Sequence, residues 1–219
     1  MGSPLALFPL GTVLFPEMLM PLHVFEPRYR MLLRRSLERE EPFGVALIKS
    51  GVEVGGPADP HPVGTTARVV GATALPDGRS LIVCQGERRF AIESIDAERE
   101  PYLVATVRYL EEDDGADATV LADAAAEAFG EYLSGILAAT HEPRSETPLN
   151  GLRTGSPREV SYRIAAALGI DAAERQRLLE AERTAARLES EVRLLERENA
   201  LLREVLMRIR ASGEGPALN

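Results

Sequence analysis

The alternation of apolar and polar positions changes character partway along this chain. Between residues 43 and 110 the segments are short, rich in Val, Ile and Thr, and separated by Gly, Pro and Asp, which is typical of strands and turns. The sharpest turn is predicted at Pro76-Asp77-Gly78, between paired strands at 67–74 and 79–84. Further strands are expected near 90–95 and 102–110. Strands joined by such short turns favour an antiparallel sheet or a small barrel.

Helical spacing occurs at two places. One helix is predicted from Pro27 to about Arg39, because proline suits a first helical turn and apolar residues follow on one face. Beyond the acidic stretch 111–115, the apolar period changes from two to about three and a half. We therefore expect an α+β protein whose first domain, 1–112, carries the strands and whose second, 113–219, is a helical bundle.

Within the second domain the sequence predicts three helices. The first is Ala-rich and covers Ala118 to Thr140, and a loop follows at 141–156. Ser156 and Glu159 have the spacing of a capping box, so a second helix is predicted from there to Gly169. The third is predicted as one long helix, about 171–211, because neither Pro nor Gly interrupts it before Gly213.

That long helix carries an apolar stripe at coiled-coil spacing, interrupted by one asparagine. Asparagine at such a position fixes register in two-stranded coiled coils. Two alternatives follow: the stripe packs on the protein's own helices, which we favour, or it joins two copies in a homodimer. The self-association residues would be Leu188, Val192, Leu195, Asn199, Leu202 and Leu206.

Composition limits the partners. The formal net charge is −9, with 25 basic and 34 acidic residues, so the chain lacks the positive field that phosphate binding requires and nucleic acid is not an expected partner. No run of roughly 18 uncharged apolar residues exists, and prolines and Glu17 interrupt the apolar N-terminus, so neither a membrane span nor a secretion signal is predicted. With a single cysteine, Cys84, the sequence favours a cytoplasmic location.

Catalytic motifs are sparse. The three histidines, His23, His61 and His141, lack metal-ligand spacing, and no CxxC or HExxH motif occurs. The segment 44–50 resembles a P-loop only superficially, because Ile48 stands where its second glycine is required. We therefore expect no metal, no cofactor and no enzymatic activity.

The opening stretch resembles a known family. Its motif residues are Phe8-Pro9-Leu10, Leu14-Phe15-Pro16, Pro21-Leu22, Val24-Phe25-Glu26 and Arg28-Tyr29. This pattern is similar to the N-terminal, substrate-binding domain of the ATP-dependent Lon proteases, which also occurs as a free-standing protein. Two later groups support the resemblance: Gly64-Thr65 with Ala67-Arg68-Val69, and Gly86 with Arg88-Arg89-Phe90 and Ile92. A third, Arg175 to Glu180, extends it into the helical region.

The resemblance implies a PUA-like pseudo-barrel followed by a helical bundle, and a function in recognising unfolded proteins. In Lon proteases ATP hydrolysis and peptide cleavage reside downstream of this region, and neither the Walker motifs nor the Ser-Lys dyad occurs in these 219 residues. The expected partners are exposed apolar segments of other proteins, with a separate protease or chaperone as a further candidate. The candidate peptide-binding residues are Phe25, Tyr29, Arg88, Arg89 and Phe90.

The sequence alone therefore leaves two functions open. The first is a non-catalytic peptide-recognition module, and the second is a scaffold that acts through its C-terminal coiled-coil-like helix. RNA binding, which PUA-like folds suggest, is weakened by the negative net charge.

Overall fold

The computed structural model describes residues 2–140 and 154–213. The chain divides into two compact units. The first contains the described residues of Met1–Glu112 together with Ala166–Glu180, and the second contains those of Asp113–Ala165 together with Ala181–Asn219. Compared with the expected division into 1–112 and 113–219, the segment 166–180 belongs to the strand-rich unit.

The first unit is built on a seven-stranded sheet that closes on itself. Strand β1 pairs with both β7 and β3, and the circuit continues through β5 and β6, while β4 adds to β3 and β2 adds to β6. The strands are β1 (Ser3–Leu10), β2 (Leu19–Val24), β3 (Phe43–Gly51), β4 (Ala58–Pro60), β5 (Val63–Ala74), β6 (Ser80–Asp96) and β7 (Val104–Tyr109). The predicted α+β fold with a small barrel is confirmed, with one exception to its antiparallel pairing, because β1 and β3 are parallel.

The sequence predicted some strands poorly. Strands β1 and β2 were not predicted, because Pro4, Pro9 and Pro21 interrupt the strand pattern there. Strand β6 is continuous over Ser80–Asp96, whereas two shorter strands were expected. Its length is accommodated by register shifts in its pairings with β5 and β7, which bend a strand without ending it.

The barrel core comes mainly from inward-facing residues of the strands and of helix α1 (Pro27–Arg39). Helix α1 begins with Pro27 at its first turn and ends at Arg39, and the capping residue Glu40 adopts a left-handed backbone with φ of 55°. It buries three side chains, Tyr29, Leu32 and Leu33, in the core. Close packing also requires Gly86 in β6, because a Cβ there would collide with the carbonyl oxygen of Phe15.

The remaining helices are α2 (Ala118–Thr140), α3 (Pro157–Ala167), α4 (Ala172–Glu180) and α5 (Thr184–Gly213). The predicted capping box at the start of α3 is present: the Glu159 carboxylate accepts a hydrogen bond from the Ser156 backbone, and the Ser156 hydroxyl accepts one from the Glu159 N–H. The bond from the Ser156 backbone N–H, together with one that the Ser156 hydroxyl donates to the same carboxylate, holds the pKa of Glu159 below its ordinary value. Most of the predicted loop 141–156 lies outside the described residues, as does His141.

The single long helix predicted at about 171–211 is wrong, because the chain leaves helical geometry between Glu180 and Thr184. The first N–H groups of α5 bond outside the helix: the N–H of Thr184 donates to the Asp113 carbonyl at 3.1 Å, and that of Ala185 to the Asp114 carbonyl at 2.9 Å. The Thr184 hydroxyl also donates to the Asp114 carboxylate at 2.7 Å. A tertiary cap therefore starts α5 where the sequence has no Pro or Gly.

Helix α4 belongs to the barrel unit and is bonded to it. The side-chain amide of Gln176 donates to the Val63 carbonyl in β5 at 3.0 Å, and the Arg175 guanidinium lies 5.2 Å from the Phe15 ring centroid. The guanidinium also donates to the carbonyl of Leu168, near the end of α3. Because α4 makes these contacts, it packs with the strands of the first unit.

In the second unit, α2 and α5 lie side by side. Phe129 and Tyr132 of α2 are buried, as are Leu188 and Leu195 of α5. Deeper in the unit, Arg187 and Glu191 of α5 are both fully buried and joined through the hydroxyl of Ser161. Among the helices of residues 2–140 and 154–213, none is long and apolar enough to cross a membrane.

Candidate functional site

The start of α1 places two aromatic side chains of the opening motif in opposite environments. Phe25 lies in the connection between β2 and α1 and is 41% exposed, with its ring centroid 5.5 Å from that of His23. Tyr29, one helical turn later, is only 4% exposed and stacks on Phe8 with ring centroids 4.0 Å apart. Both side chains line a surface groove, Tyr29 from within and Phe25 from the exposed side.

This groove has a volume of about 260 Å³ and is lined by apolar, aromatic and acidic side chains. Most of its walls come from β1, β2 and the start of α1, and one side comes from the turn after β3. Its lining residues are Phe8, Leu10, Pro21, Leu22, His23, Phe25, Glu26, Tyr29, Glu53 and Val54. We call it the Phe25 groove.

A larger cleft of about 990 Å³ borders the same residues, because Glu26 and Tyr29 line both cavities. Its other walls are the segment from Ser50 to Pro60 and the connection between β6 and β7, including Pro101 and Tyr102. The two cavities together give the barrel a continuous concave surface around the start of α1.

The segment Gly51–Pro57 (the β3–β4 turn) is fastened to the start of α1. The Glu26 carboxylate accepts a hydrogen bond from the Gly55 N–H at 3.2 Å, and the Arg28 guanidinium donates to the Gly56 carbonyl at 3.0 Å. Glu26 and Arg28 also form an ion pair at 3.0 Å. Gly51 has φ of 97°, and a Cβ there would collide with the Pro57 carbonyl, so the turn requires glycine. Glu26 and Arg28 thus hold the β3–β4 turn, which contributes to the lining of both cavities.

Two carboxylate side chains, those of Glu26 and Glu53, line the groove. The Glu53 carboxylate accepts a hydrogen bond from the Gly11 N–H at 2.9 Å, and Glu26 lies on the same lining. Burial raises the pKa of the Tyr29 phenol, Arg28 lowers it by a smaller amount, and the carboxylates of Glu26 and Glu53 raise it further. The phenol therefore stays neutral at physiological pH.

The structure does not bring the other candidate peptide-binding residues to this groove. Arg88 is exposed, 4.2 Å from the Tyr109 ring centroid and 3.2 Å from the Glu111 carboxylate. Arg89 is buried, where it donates to the Leu179 carbonyl at 2.7 Å and pairs with Glu112 at 3.2 Å. Phe90 is fully buried, and its ring leaves no room for a Cβ at Gly44 or Gly64. Arg89 and Phe90 therefore belong to the core packing in this structure.

The candidate self-association stripe packs within the chain. Leu188 and Leu195 are fully buried, and the Asn199 side-chain amide donates to the Ala128 carbonyl in α2 at 2.9 Å. Val192, Leu202 and Leu206 are half-buried, and Leu202 lies against Gly135 of α2. This arrangement is the alternative in which the stripe packs on the protein's own helices. Among the side chains of α5 up to residue 208, the exposed large apolar ones are different: Leu201, Val205 and Met207.

Other chemistry is not assembled in the described part of the chain. Residues 2–140 and 154–213 contain no group of three His, Cys, Asp or Glu side chains that could hold a metal ion. Cys84 is buried in the barrel core, and burial raises the pKa of its thiol to about 12, which keeps it protonated and unreactive.

The sequence did not predict a binding role for several of the groove residues. Leu10 and Leu22 were assigned to the motif without a binding role, and Glu53 and Val54 were not singled out. The available signal for the last two was the sequence Gly51-Val-Glu-Val-Gly55, in which exposed apolar residues lie between glycines. Turns of this kind are solvent-exposed, and two valines in one short turn are a weak signal of a binding surface.

The fold and this concave surface define a class: an α+β domain in which a small closed barrel carries a groove at the start of its first helix. The family model of the ATP-dependent protease La (LON) substrate-binding domain matches residues 4–197. The chain therefore belongs to the LON substrate-binding domain family. The expected family resemblance is confirmed by this match.

Similar proteins agree with this assignment. The chain is 30% identical over 169 residues to the Lon protease of Amoebophilus asiaticus and 29% identical over 194 residues to that of Chloroherpeton thalassium. These matches cover 77% and 88% of this chain but only 20% and 23% of the two relatives. The chain thus spans about a fifth of the length of these relatives.

Two solved structures have the same fold. A Lon N-terminal domain protein from Xanthomonas campestris matches with a TM-score of 0.61 and 26% identity, over 85% of this chain and 95% of that one. The N-terminal domain of a Mycobacterium avium complex Lon protease matches with a TM-score of 0.64 and 18% identity, over 89% of this chain and 98% of that one. At 18% identity, the second match supports the fold alone.

Proposed function

We propose that this chain is a non-catalytic recognition module that binds exposed apolar segments of other proteins in the Phe25 groove. Membership of a family described as substrate-binding supports a polypeptide ligand. The observation that carries the proposal is the exposed Phe25 ring at a groove whose lining combines apolar residues of the opening motif with acidic side chains. A large apolar side chain exposed beside a cavity is a common feature of binding surfaces.

The size of the cavities suits an unfolded ligand. The Phe25 groove, at about 260 Å³, is smaller than the 300–1,000 Å³ typical of drug-sized ligand pockets, so it suits one or two side chains. The adjoining cleft of about 990 Å³ extends the same surface, which allows neighbouring residues of an extended chain to be accommodated. An unfolded client protein or a released segment has this shape, and a separate protease or chaperone would act on it afterwards.

The proposal predicts that Phe25→Ser weakens the binding of an unfolded polypeptide while the fold persists. Burying a Phe side chain contributes about 1.5–3 kcal/mol, so we expect the dissociation constant to rise about ten-fold or more. Fluorescence anisotropy of a labelled, carboxymethylated model protein with the full chain would measure it. The control is Val120→Ser, which removes an apolar side chain from α2 that is 71% exposed, against 41% for Phe25.

Equal binding by the wild type, Phe25→Ser and Val120→Ser would contradict the proposed site. No binding of any of several unfolded polypeptides by the wild-type chain would contradict the function itself. Hydrolysis of peptide, ester or nucleotide that is lost on changing one side chain of the protein would contradict the non-catalytic part of the proposal.

A second candidate function, a scaffold that acts through α5, is favoured by Leu201 and Val205. These side chains are 51% and 47% exposed and lie one helical turn apart, away from the stripe that packs on α2. If α5 is the binding surface, replacing both Leu201 and Val205 with Glu would abolish partner binding or homodimer formation. Sedimentation of the full chain measures homodimer formation. Under the first proposal the same variant binds unfolded polypeptides as the wild type does.

A further inference from the structure

The acidic side chains that line the Phe25 groove suggest that the groove selects its ligands by charge as well as by apolar contact. Two carboxylates, those of Glu26 and Glu53, line the groove, and its lining contains no Lys or Arg. The only lining residue that can carry a positive charge is His23. A groove that bound apolar side chains alone would gain nothing from this charge.

The two carboxylates have different roles. Glu26 is engaged with its own chain, because it pairs with Arg28 at 3.0 Å and accepts the Gly55 N–H. Within residues 2–140 and 154–213, the Glu53 carboxylate accepts a hydrogen bond from the Gly11 N–H and forms no ion pair with a Lys, Arg or His side chain. The charge of Glu53 is therefore available to a ligand.

Glu53 also stands next to the apolar wall. Val54, its neighbour in the β3–β4 turn, is 55% exposed and lines the groove together with Phe25. An extended ligand that placed an apolar side chain between Phe25 and Val54 would pass beside the Glu53 carboxylate. In an extended chain, side chains two residues apart point to the same side, about 6.6–6.8 Å from one another.

From this charge complementarity we propose that the Phe25 groove selects apolar residues that have an Arg or Lys within two positions in the ligand chain. The inference rests on the proposed function and adds a specificity determinant, Glu53, to it. The occupant is an unfolded, cationic-apolar segment of another protein. Apolar segments flanked by Asp or Glu bind more weakly, because their negative charges and that of Glu53 repel.

The test uses the full chain and three short, unstructured Ser/Gly-rich peptides, each with one Phe and, two positions away, Arg, Gln or Glu. We expect affinity to fall in the order Arg, Gln, Glu, with about two- to five-fold between neighbours, the range of a partly exposed ion pair. Added salt should reduce the difference between the peptides, because it screens exposed charges.

Two variants of Glu53 separate charge from fold. Glu53→Gln keeps an oxygen that can accept the Gly11 N–H, and we expect it to bind the three peptides equally, at the affinity of the Gln peptide. Glu53→Lys should reverse the order. Glu127→Gln, which removes an exposed carboxylate from α2, is the matched control and should keep the wild-type order.

The outcomes distinguish the inference from the function on which it rests. Equal affinity of the wild type for the three peptides, with each weakened by Phe25→Ser, would overturn the charge preference and leave the recognition function standing. A wild-type order that persists in Glu53→Gln would overturn the role of Glu53. Failure of the wild type to bind any of the peptides or any unfolded polypeptide would overturn both.

Discussion

Phe25 and Tyr29 are separated by one helical turn and contribute to the same groove in different ways. Tyr29 is fixed by stacking on Phe8 and by the core around α1, so it forms part of a rigid wall. Phe25 makes a ring contact with His23 and keeps 41% of its surface exposed, so its apolar area is available for a ligand. The exposed Phe25 side chain, unlike that of Tyr29, can be removed without a large loss of stability. Phe25 is therefore the residue to substitute when ligand binding is tested.

Arg89 presents the opposite case, a candidate binding residue that the structure buries. Its side chain and that of Glu112 are 2% and 5% exposed, and they pair at 3.2 Å. A strand pattern alone does not distinguish an outward arginine from one that reaches a buried carboxylate. The partner, Glu112, belongs to the acidic stretch after β7, and its proximity depends on the tertiary fold.

We predict that Arg89→Met lowers the free energy of unfolding by about 3–5 kcal/mol, because it leaves the buried Glu112 carboxylate without this guanidinium. The double variant Arg89→Met/Glu112→Gln should recover much of the loss, since it removes the buried charge as well. Urea unfolding measures both. A single variant of wild-type stability that no longer binds unfolded polypeptides would show that Arg89 contacts ligand.

At the level of single residues, the sequence predicted part of the site. The opening motif led to Phe25 and Tyr29, both of which line the groove. It also named Glu26 and Arg28 but left their role open, and the structure shows that they hold the β3–β4 turn. That role could not be predicted, because the turn lies more than 20 residues away along the chain and no local pattern joins the two.

At the level of elements, the start of α5 is the clearest case of tertiary control. Residues 181–183 carry no helix-breaking residue, yet the helix stops at Glu180 and restarts at Thr184. Asp113 and Asp114 provide the cap, and the Asp114 carboxylate also pairs with Arg158 of α3 at 3.2 Å. Local propensity allowed one long helix, and hydrogen bonds from a distant segment divided it.

We predict that Asp114→Ala destabilises the protein by about 1–3 kcal/mol, because the buried Thr184 hydroxyl loses its acceptor. Amide hydrogen exchange should accelerate at the first turn of α5 more than in α2. Asp123→Ala, which removes an exposed carboxylate from α2, is the control and should leave both measurements unchanged. Unchanged exchange at the start of α5 in Asp114→Ala would contradict the capping role.

The strands likewise include features that their own residues encode and features that depend on distant parts of the chain. The turn at Pro76-Asp77-Gly78 was predictable because its residues encode it locally: the Asp77 carboxylate accepts the Arg79 N–H, and Gly78 has φ of 78°. Strand β1 was not predictable from the sequence, because its prolines oppose strand formation. Its pairing partners, β3 and β7, also lie far away along the chain. Its pairings with both partners close the barrel.

In the whole molecule, the two units have separate structural roles. The barrel unit carries the groove, and α4 belongs to it through bonds such as that from Gln176 to Val63. In the helical unit the predicted stripe is largely used for packing between α2 and α5, so Leu188 and Leu195 are not available to a second copy. Self-association stays a prediction, and its remaining apolar candidates on α5 include Leu201 and Val205.

The most direct test of the central claim is amide hydrogen exchange on the full chain, with and without a saturating unfolded apolar polypeptide. We predict slower exchange in residues 19–29 and 51–57, which surround the Phe25 groove, and unchanged exchange in α2 and α5. Protection confined to α5, or to the outer sheet surface around the exposed Leu81 and Val83, would contradict the account. So would saturation with no change in exchange near Phe25.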